Sequence, residues 1–359
     1  MSETRCPKVS LLIPVYNVDA YLRTCLNSAA AQTLHDIEII CINDGSTDGS
    51  RAIIDEYLSD PRFRVIDKPN SGYGASMNQG LDAATGEYIG ILESDDFFDA
   101  DALEVLYDAA TAANADVAKA DFYFYWSMPT PRDKRFGWVK PNDAGVHDPR
   151  MFTNVFYRKP SIWSGLYQHS FLEQNKIRFT ETPGASFQDT AFNFKVWACA
   201  QRAVLIDRAL LHYRQDNEAS SVNSPAKAFC ICDEYDEIAR FVSVRADAEE
   251  LRPIAAKARY DAYMWNYERL APELRASFAR RMAEDFRAED RSGANAYDLL
   301  EPWKVIDRKA IIADPIAFCE EKERGAQHGK LSTLVRCFRA GGLPLVLRAI
   351  TSKVRNENY

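Results

Sequence analysis

Four short apolar runs, at 9–15, 37–42, 63–66 and 88–92, each pass through a turn signal into a helix-like stretch. Strand followed by helix, repeated in this way, restricts the chain to a parallel sheet with crossover helices. The periodicity predicts helices over 19–32, 48–59, 74–84 and 100–113, and a further strand over 117–125. The expected fold class is therefore α/β, a mostly parallel, Rossmann-like sheet sandwiched by helices. In such sheets the ligand sits outside the carboxyl ends of the strands. P-V-Y-N at 14–17, N-D at 43–44 and E-S-D-D at 93–96 all fall there.

The last of these places Glu93, Asp95 and Asp96 within four residues at the end of an apolar strand. Anions that close repel one another unless a cation sits among them. Oxygen-rich, incompletely caged clusters suit Mg²⁺ or Mn²⁺ shared with substrate phosphates. Capping of the helix that begins near Ala100 accounts for Asp96 or Asp99, but not for all three carboxylates. The stretch N-D-G-S-T-D-G-S at 43–50 supplies a turn at Gly45 and a helix cap at Ser46 or Asp48, which leaves Asp44 without a structural duty. A carboxylate there can accept the imide N–H of uracil, a contact cytosine cannot offer.

Composition narrows the class further. The 359 residues are 47% hydrophobic and carry a net charge of −8, which argues against nucleic acid as a partner because phosphate-backbone binding needs a basic face. Eight scattered cysteines read as reduced, buried thiols, and Cys230 and Cys232 lack the further ligands of a zinc site. The first residues lack the apolar core of a signal peptide, and no apolar run approaches the ~20 residues of a membrane span. A cytoplasmic protein is expected. Three regions are expected: a catalytic domain over 1–224, a helical, highly charged region over 225–325, and a tail over 326–359. Residues 127–150, rich in proline, read as a long loop. In the tail Lys330, Arg336, Arg339, Arg348, Lys353 and Arg355 face a single acid, Glu357, and interleave with apolar residues. Such a segment either lies on an anionic membrane at its inner face or docks on the acidic body.

Five motifs occur in a telling order: P-V-Y-N (14–17), N-D-G-S-T-D (43–48), N-S-G-Y-G-A-S-M-N-Q-G (70–80), G-E-Y-I-G-I-L-E-S-D-D (86–96) and F-Q-D-T-A-F (187–192). Together they resemble the family 2 glycosyltransferases, inverting nucleotide-sugar transferases with the A-type fold. The resemblance covers residues 8 to about 224. It implies that Pro14, Tyr16, Asn17 and Asp19 line the nucleoside pocket, that Asp44 reads the base, and that Gly72 and Asn78 lie along the nucleotide. Glu93-Ser94-Asp95 stands where the family has its D-x-D, with Asp95 as main metal ligand, Glu93 toward the ribose or a metal-bound water, and Asp96 supporting. Where the family often has arginine before Asn78, this chain has Met77, so a cationic contact falls to Lys68 or Arg214.

Inversion at an anomeric carbon requires in-line attack, with a general base on the face opposite the leaving diphosphate. Asp189, at the head of a helix expected over 190–200, matches the family's base position, with Gln188 in place of the usual glutamate. The bland alternative is a first-turn helix acid. The polar loop after 211 resembles the family's closing loop, with Arg214, Ser220 and Ser221 toward the diphosphate and His212 available to complete a metal shell. No Q-x-x-R-W sequence follows, so single-sugar transfer is expected rather than processive synthesis. The resemblance implies a UDP-sugar donor, Mg²⁺ or Mn²⁺, and a glycan or lipid-linked acceptor in cell-surface polysaccharide synthesis, with the acceptor side shaped by the 127–150 loop, Trp163 and Tyr167. Its rivals are a silent nucleotide-sugar binder and a sugar-phosphate nucleotidyltransferase, the latter wanting a Gly-rich basic loop after the first strand.

Overall fold

The structure, a computed structural model, describes residues 6–217, 227–324 and 330–356, with side chains at 334–351 in the last segment. The chain divides into two compact units, Met1–Asn223 and Ser224–Tyr359.

The first unit is built on a ten-stranded mixed sheet. Its parallel core comprises β1 (Val9–Val15), β2 (Ile37–Asn43), β3 (Phe63–Asp67) and β4 (Tyr88–Ile91), in the order β3-β2-β1-β4. Every residue of β1 is buried, which is why it reads as a continuous apolar run rather than an alternating one. Pro14 is tolerated in this central strand because pairing with β4 has ended at Leu12. The missing N–H therefore faces no ladder partner. Helices α1 (Asp19–Ala30), α2 (Ser50–Asp55), α3 (Tyr73–Ala83) and α4 (Ala102–Ala113) fall on the expected stretches.

Beyond β4 the sheet departs from simple alternation. β9 (Gly165–Gln168) inserts antiparallel between β4 and β6 (Val117–Trp126), and β6 then runs parallel to β10 (Ala203–Arg214). The short β5 (Phe97–Phe98) closes the edge against β10. Residues 127–150 are not the plain loop expected: β7 (Arg132–Arg135) pairs with β6, β8 (Gly145–His147) pairs with β10, and a 3-10 turn lies between them. Fully buried Asp121 ties this segment down by accepting from Arg135 Nε at 2.6 Å and from the Gly137 and Trp138 amides. Two further helices, α5 (His169–Gln174) and α6 (Gln188–Cys199), complete the unit.

The second unit is helical: α7 (Cys230–Ser243), α8 (Ala248–Arg269), α9 (Pro272–Ser292), α10 (Pro302–Ala313), α11 (Pro315–Glu323) and α12 (Lys330–Asn356), the last broken at Gly341–Gly342. Its core contains a fully buried Arg308 that donates to Asp290 at 2.7 Å and to Glu289 at 3.1 Å. A buried guanidinium persists only with such partners. None of the eight cysteines is joined in a disulfide. No described helix is long and apolar enough to cross a membrane.

Candidate active site

The loops at the carboxyl ends of β1 and β2 hold one another. Asn17, in the left-handed region at φ 47, accepts the Thr47 amide at 2.8 Å, and its own amide donates to Ser46 Oγ. Asp19 accepts the Gly49 amide at 3.1 Å, while Asp48 accepts that of Asp19. The Asn17 and Asp19 side chains thus build the rim, whereas Tyr16 stands out from it at 52% exposure. Pro14 lies buried beneath, within β1.

Asp44 does have a structural duty, contrary to the sequence reading. It is buried, pairs with Lys68, and accepts the Ser71 amide at 2.9 Å and the Gly72 amide at 3.0 Å. Lys68, also buried, is committed to Asp44 and Ser76 and is no spare cation. Gly72 takes φ +94, and a Cβ there would lie 2.7 Å from the Thr182 carbonyl oxygen, so only glycine fits. Asn78 is buried and occupied by the chain itself: it donates to Phe179 O and Glu181 Oε1 and accepts the Phe179 amide. Met77 is fully buried.

The three carboxylates after β4 separate into different environments. Glu93 is half-buried and accepts from Tyr73 Oη at 2.6 Å; burial, with the charges of Asp95 and Asp189, pushes its carboxyl up to about 8. Asp95, beyond Ser94, accepts from Asn217 Nδ2 at 2.8 Å. Asp96 is fully buried, accepts the Arg214 amide at 2.8 Å, and keeps Oδ2 without a partner; burial pushes its carboxyl well above the usual range. The carboxyl's one hydrogen bond among the described residues ties it to the chain itself, through the Arg214 amide. His212 is likewise no open ligand, since its two ring nitrogens lie 2.8 Å from Asp133 Oδ1 and 3.1 Å from Asp99 Oδ1, and its ring stacks on Phe97. Among the described residues no group of three His, Cys, Asp or Glu side chains could hold a metal ion by itself. Glu93 and Asp95 remain as a pair of neighbouring acids. Such a pair fits a cation completed by substrate phosphates, the usual way Mg²⁺ is held.

Arg214 supplies the positive charge. Its guanidinium lies over the rings of Tyr21 (4.7 Å) and Tyr125 (5.0 Å), and Nε donates to the Asp95 carbonyl oxygen at 2.9 Å. Ser220 and Ser221 lie outside the described residues.

Asp189 lies half-buried in the first turn of α6, next to Gln188. Burial pushes its carboxyl up to about 6, opposed by the Lys159 ammonium and by hydrogen bonds from its own amide and from Thr190. Its charge reaches Glu93 and raises the phenols of Tyr73 and Tyr167, so the two acidic groups share one site. Gln188 accepts the Ser186 amide and donates through Nε2 to Thr182 Oγ1 (2.8 Å) and Gly184 O (3.2 Å). Trp163 and Tyr167, expected on the acceptor side, are buried, with the Tyr167 hydroxyl donating to Ile162 O.

Several partners had no individual signal in the sequence. Tyr73 sits in the 70–80 motif but is one tyrosine among 17. Lys159 belongs to no motif. Lys119 is fully buried on β6, where it donates to the Ser161 carbonyl and loss of solvent pulls its ammonium well down.

"Uncharacterized glycosyltransferase EpsJ" of Bacillus subtilis is 31% identical over 220 residues, 58% of this chain and 62% of EpsJ, so the match spans less than two thirds of that relative. The chondroitin synthase of Pasteurella multocida is 43% identical over 102 residues, 28% of this chain and 11% of the synthase. Among solved structures, S. aureus TarS 1–349 in complex with UDP-GlcNAc superposes with a TM-score of 0.70 at 19% identity, over 90% of this chain and 93% of that one. That likeness establishes the A-type glycosyltransferase fold. The sequence profile "Glycosyl transferase family 2" matches residues 10–196, from β1 into α6, a span that contains Glu93, Asp95 and Asp189. The chain belongs to glycosyl transferase family 2.

Proposed function

We propose that this chain transfers one sugar, with inversion, from a UDP-sugar to a hydroxyl of a glycan or lipid-linked acceptor in polysaccharide synthesis. The observation that carries the reading is the half-buried carboxylate of Asp189 in the first turn of α6, pushed up to about 6 by burial and within electrostatic reach of Glu93. A general base works best with a pKa close to the operating pH. Asp189 takes the acceptor hydroxyl proton as that oxygen attacks the anomeric carbon, and the bond from that carbon to the diphosphate oxygen breaks, releasing UDP. Arg214, held between two aromatic rings, offsets charge on the departing diphosphate. Exposed Tyr16 offers a face to the uracil ring, and Asp44 offers it the acceptor capacity left on Oδ2. Asn17, Asp19 and Gly72 shape the pocket rather than touch the base. Mg²⁺ or Mn²⁺, held by Asp95 and Glu93, would neutralise the diphosphate. A UDP donor draws support from the TarS complex with UDP-GlcNAc, and a polysaccharide product from the chondroitin synthase.

The test is UDP release from a panel of UDP-sugars with mixed lipid-linked acceptors, with and without Mn²⁺, for the native chain and Asp189→Asn. Metal-dependent release should fall by about two to four orders of magnitude in the variant, with UDP binding retained. Binding without release from any donor would assign the chain to silent nucleotide-sugar binding.

A further inference from the structure

Six large apolar side chains stand exposed on one helix, α12: Leu334, Val335, Phe338, Leu343, Leu347 and Ile350. Leu334 and Phe338 are one turn apart before the break at Gly341–Gly342, and Leu343, Leu347 and Ile350 follow at i, i+4 and i+7 after it. Each half of the helix therefore carries an apolar stripe.

The opposite side of α12 is fixed within the helical unit. Cys337 and Leu345 are buried, Arg336 pairs with Glu321 at 3.2 Å, and Lys309 donates to Ala340 O. Arg348 caps the carbonyls of Tyr297, Asp298 and Leu300. Contacts on the inner side of both halves hold these side chains outward, and exposed apolar side chains grouped in this way mark an interaction site.

Charge selects the partner. From Gly325 to Asn356 the sequence holds no Asp or Glu, although the chain as a whole carries 52 acids against 44 bases. Exposed Arg339 adjoins Phe338 on the outer side. A second copy docking through the same face would bring two acid-free, cationic segments together. An anionic bilayer surface instead accepts both the apolar stripe and the positive charge.

We infer that α12 seats the helical unit on an anionic membrane surface, with Phe338, Leu343, Leu347 and Ile350 entering the headgroup boundary. This inference is independent of the sugar-transfer reading.

The experiment is co-sedimentation of the full chain with vesicles of phosphatidylcholine alone and of phosphatidylcholine with phosphatidylglycerol. Binding is expected only to the second, released at ~0.5 M salt and lowered about tenfold or more by Phe338→Ser with Leu347→Ser. Arg339→Glu should weaken it separately, and decides the matter should the double variant lose its native melting transition. Equal binding to both vesicles, or binding to neither, overturns the inference. A concentration-dependent dimer in light scattering that the same substitutions abolish would assign the face to a second copy instead.

Discussion

Replacing Lys159 with methionine isolates the electrostatics of the base while keeping most of the side-chain volume. Burial raises the Asp189 carboxyl to about 6, and the Lys159 ammonium is the largest influence opposing it. Removing that charge therefore moves the pKa upward, by about one unit for an opposite charge at close range. Near pH 6 the ionised, proton-accepting fraction would drop from about one half to about one tenth, a loss of roughly fivefold; at pH 8 it would stay above about nine tenths. The assay is the initial rate of UDP release at saturating donor and acceptor from pH 5 to 9. The native profile should rise through about pH 6, and the variant's acid limb should lie higher with its plateau nearly unchanged. A loss by the same factor at pH 6 and pH 8 would refute the reasoning, since Lys159 would then act on substrate rather than on the base. The same shift has a sign for stability. A carboxyl raised in the folded state favours folding below its unfolded value and loses that contribution as pH rises through about 6.

Two other predictions concern how the site is held. Gly72→Ala should cost about 3 kcal/mol in urea denaturation, because it combines a positive φ with a Cβ 2.7 Å from Thr182 O and 2.9 Å from Gly184 N. Gly184→Ala, at φ +77 with nothing within 4 Å, should cost only about 1 kcal/mol, and equal costs would contradict the steric argument. Lys68→Ala should cost about 3 kcal/mol by leaving the buried Asp44 charge unpaired, and adding Asp44→Asn should restore part of that stability. A double variant no more stable than Lys68→Ala would show that Asp44 is not the group left stranded.

What the sequence disclosed follows from range. β1 to β4 and their helices announce themselves because strand and helix periods are local properties of the chain. β9 has four residues, too few for a period, and β7 is an exposed R-D-K-R that reads as loop until β6 pairs with it. The site shows the same division. Motif order singles out Glu93, Asp95 and Asp189, but the partners that decide what each side chain touches are remote. His212 meets Asp99 and Asp133 across 113 and 79 residues, and those carboxylates take both ring nitrogens from any metal. Asn78 meets Phe179 across 101 residues, turning a supposed nucleotide contact into a strap. Asp44 reads as free of structural duty because its neighbours in sequence cap a helix, whereas Lys68, Ser71 and Gly72 reach it from the next βα connection.

That strap also gives glutamine at 188 a role beside Asp189. The start of α3 presses against residues 179–184 so closely that a Cβ on Gly74 would lie 2.0 Å from Thr180 O, and the Tyr73 amide donates to Gly184 O at 2.9 Å. Tyr73 carries Glu93 on its hydroxyl, and the segment after Gly184 launches α6 and Asp189. Glu93 and Asp189 are thus positioned by one hydrogen-bonded unit, whose closing link is Gln188 Nε2 to Thr182 Oγ1 and Gly184 O. A carboxylate at 188 has no hydrogen to offer either oxygen and would set a negative charge beside a carbonyl that already accepts from Tyr73. It would also raise the Asp189 carboxyl further. In this chain the Gln188 amide supplies the two donations that close the unit beside Asp189.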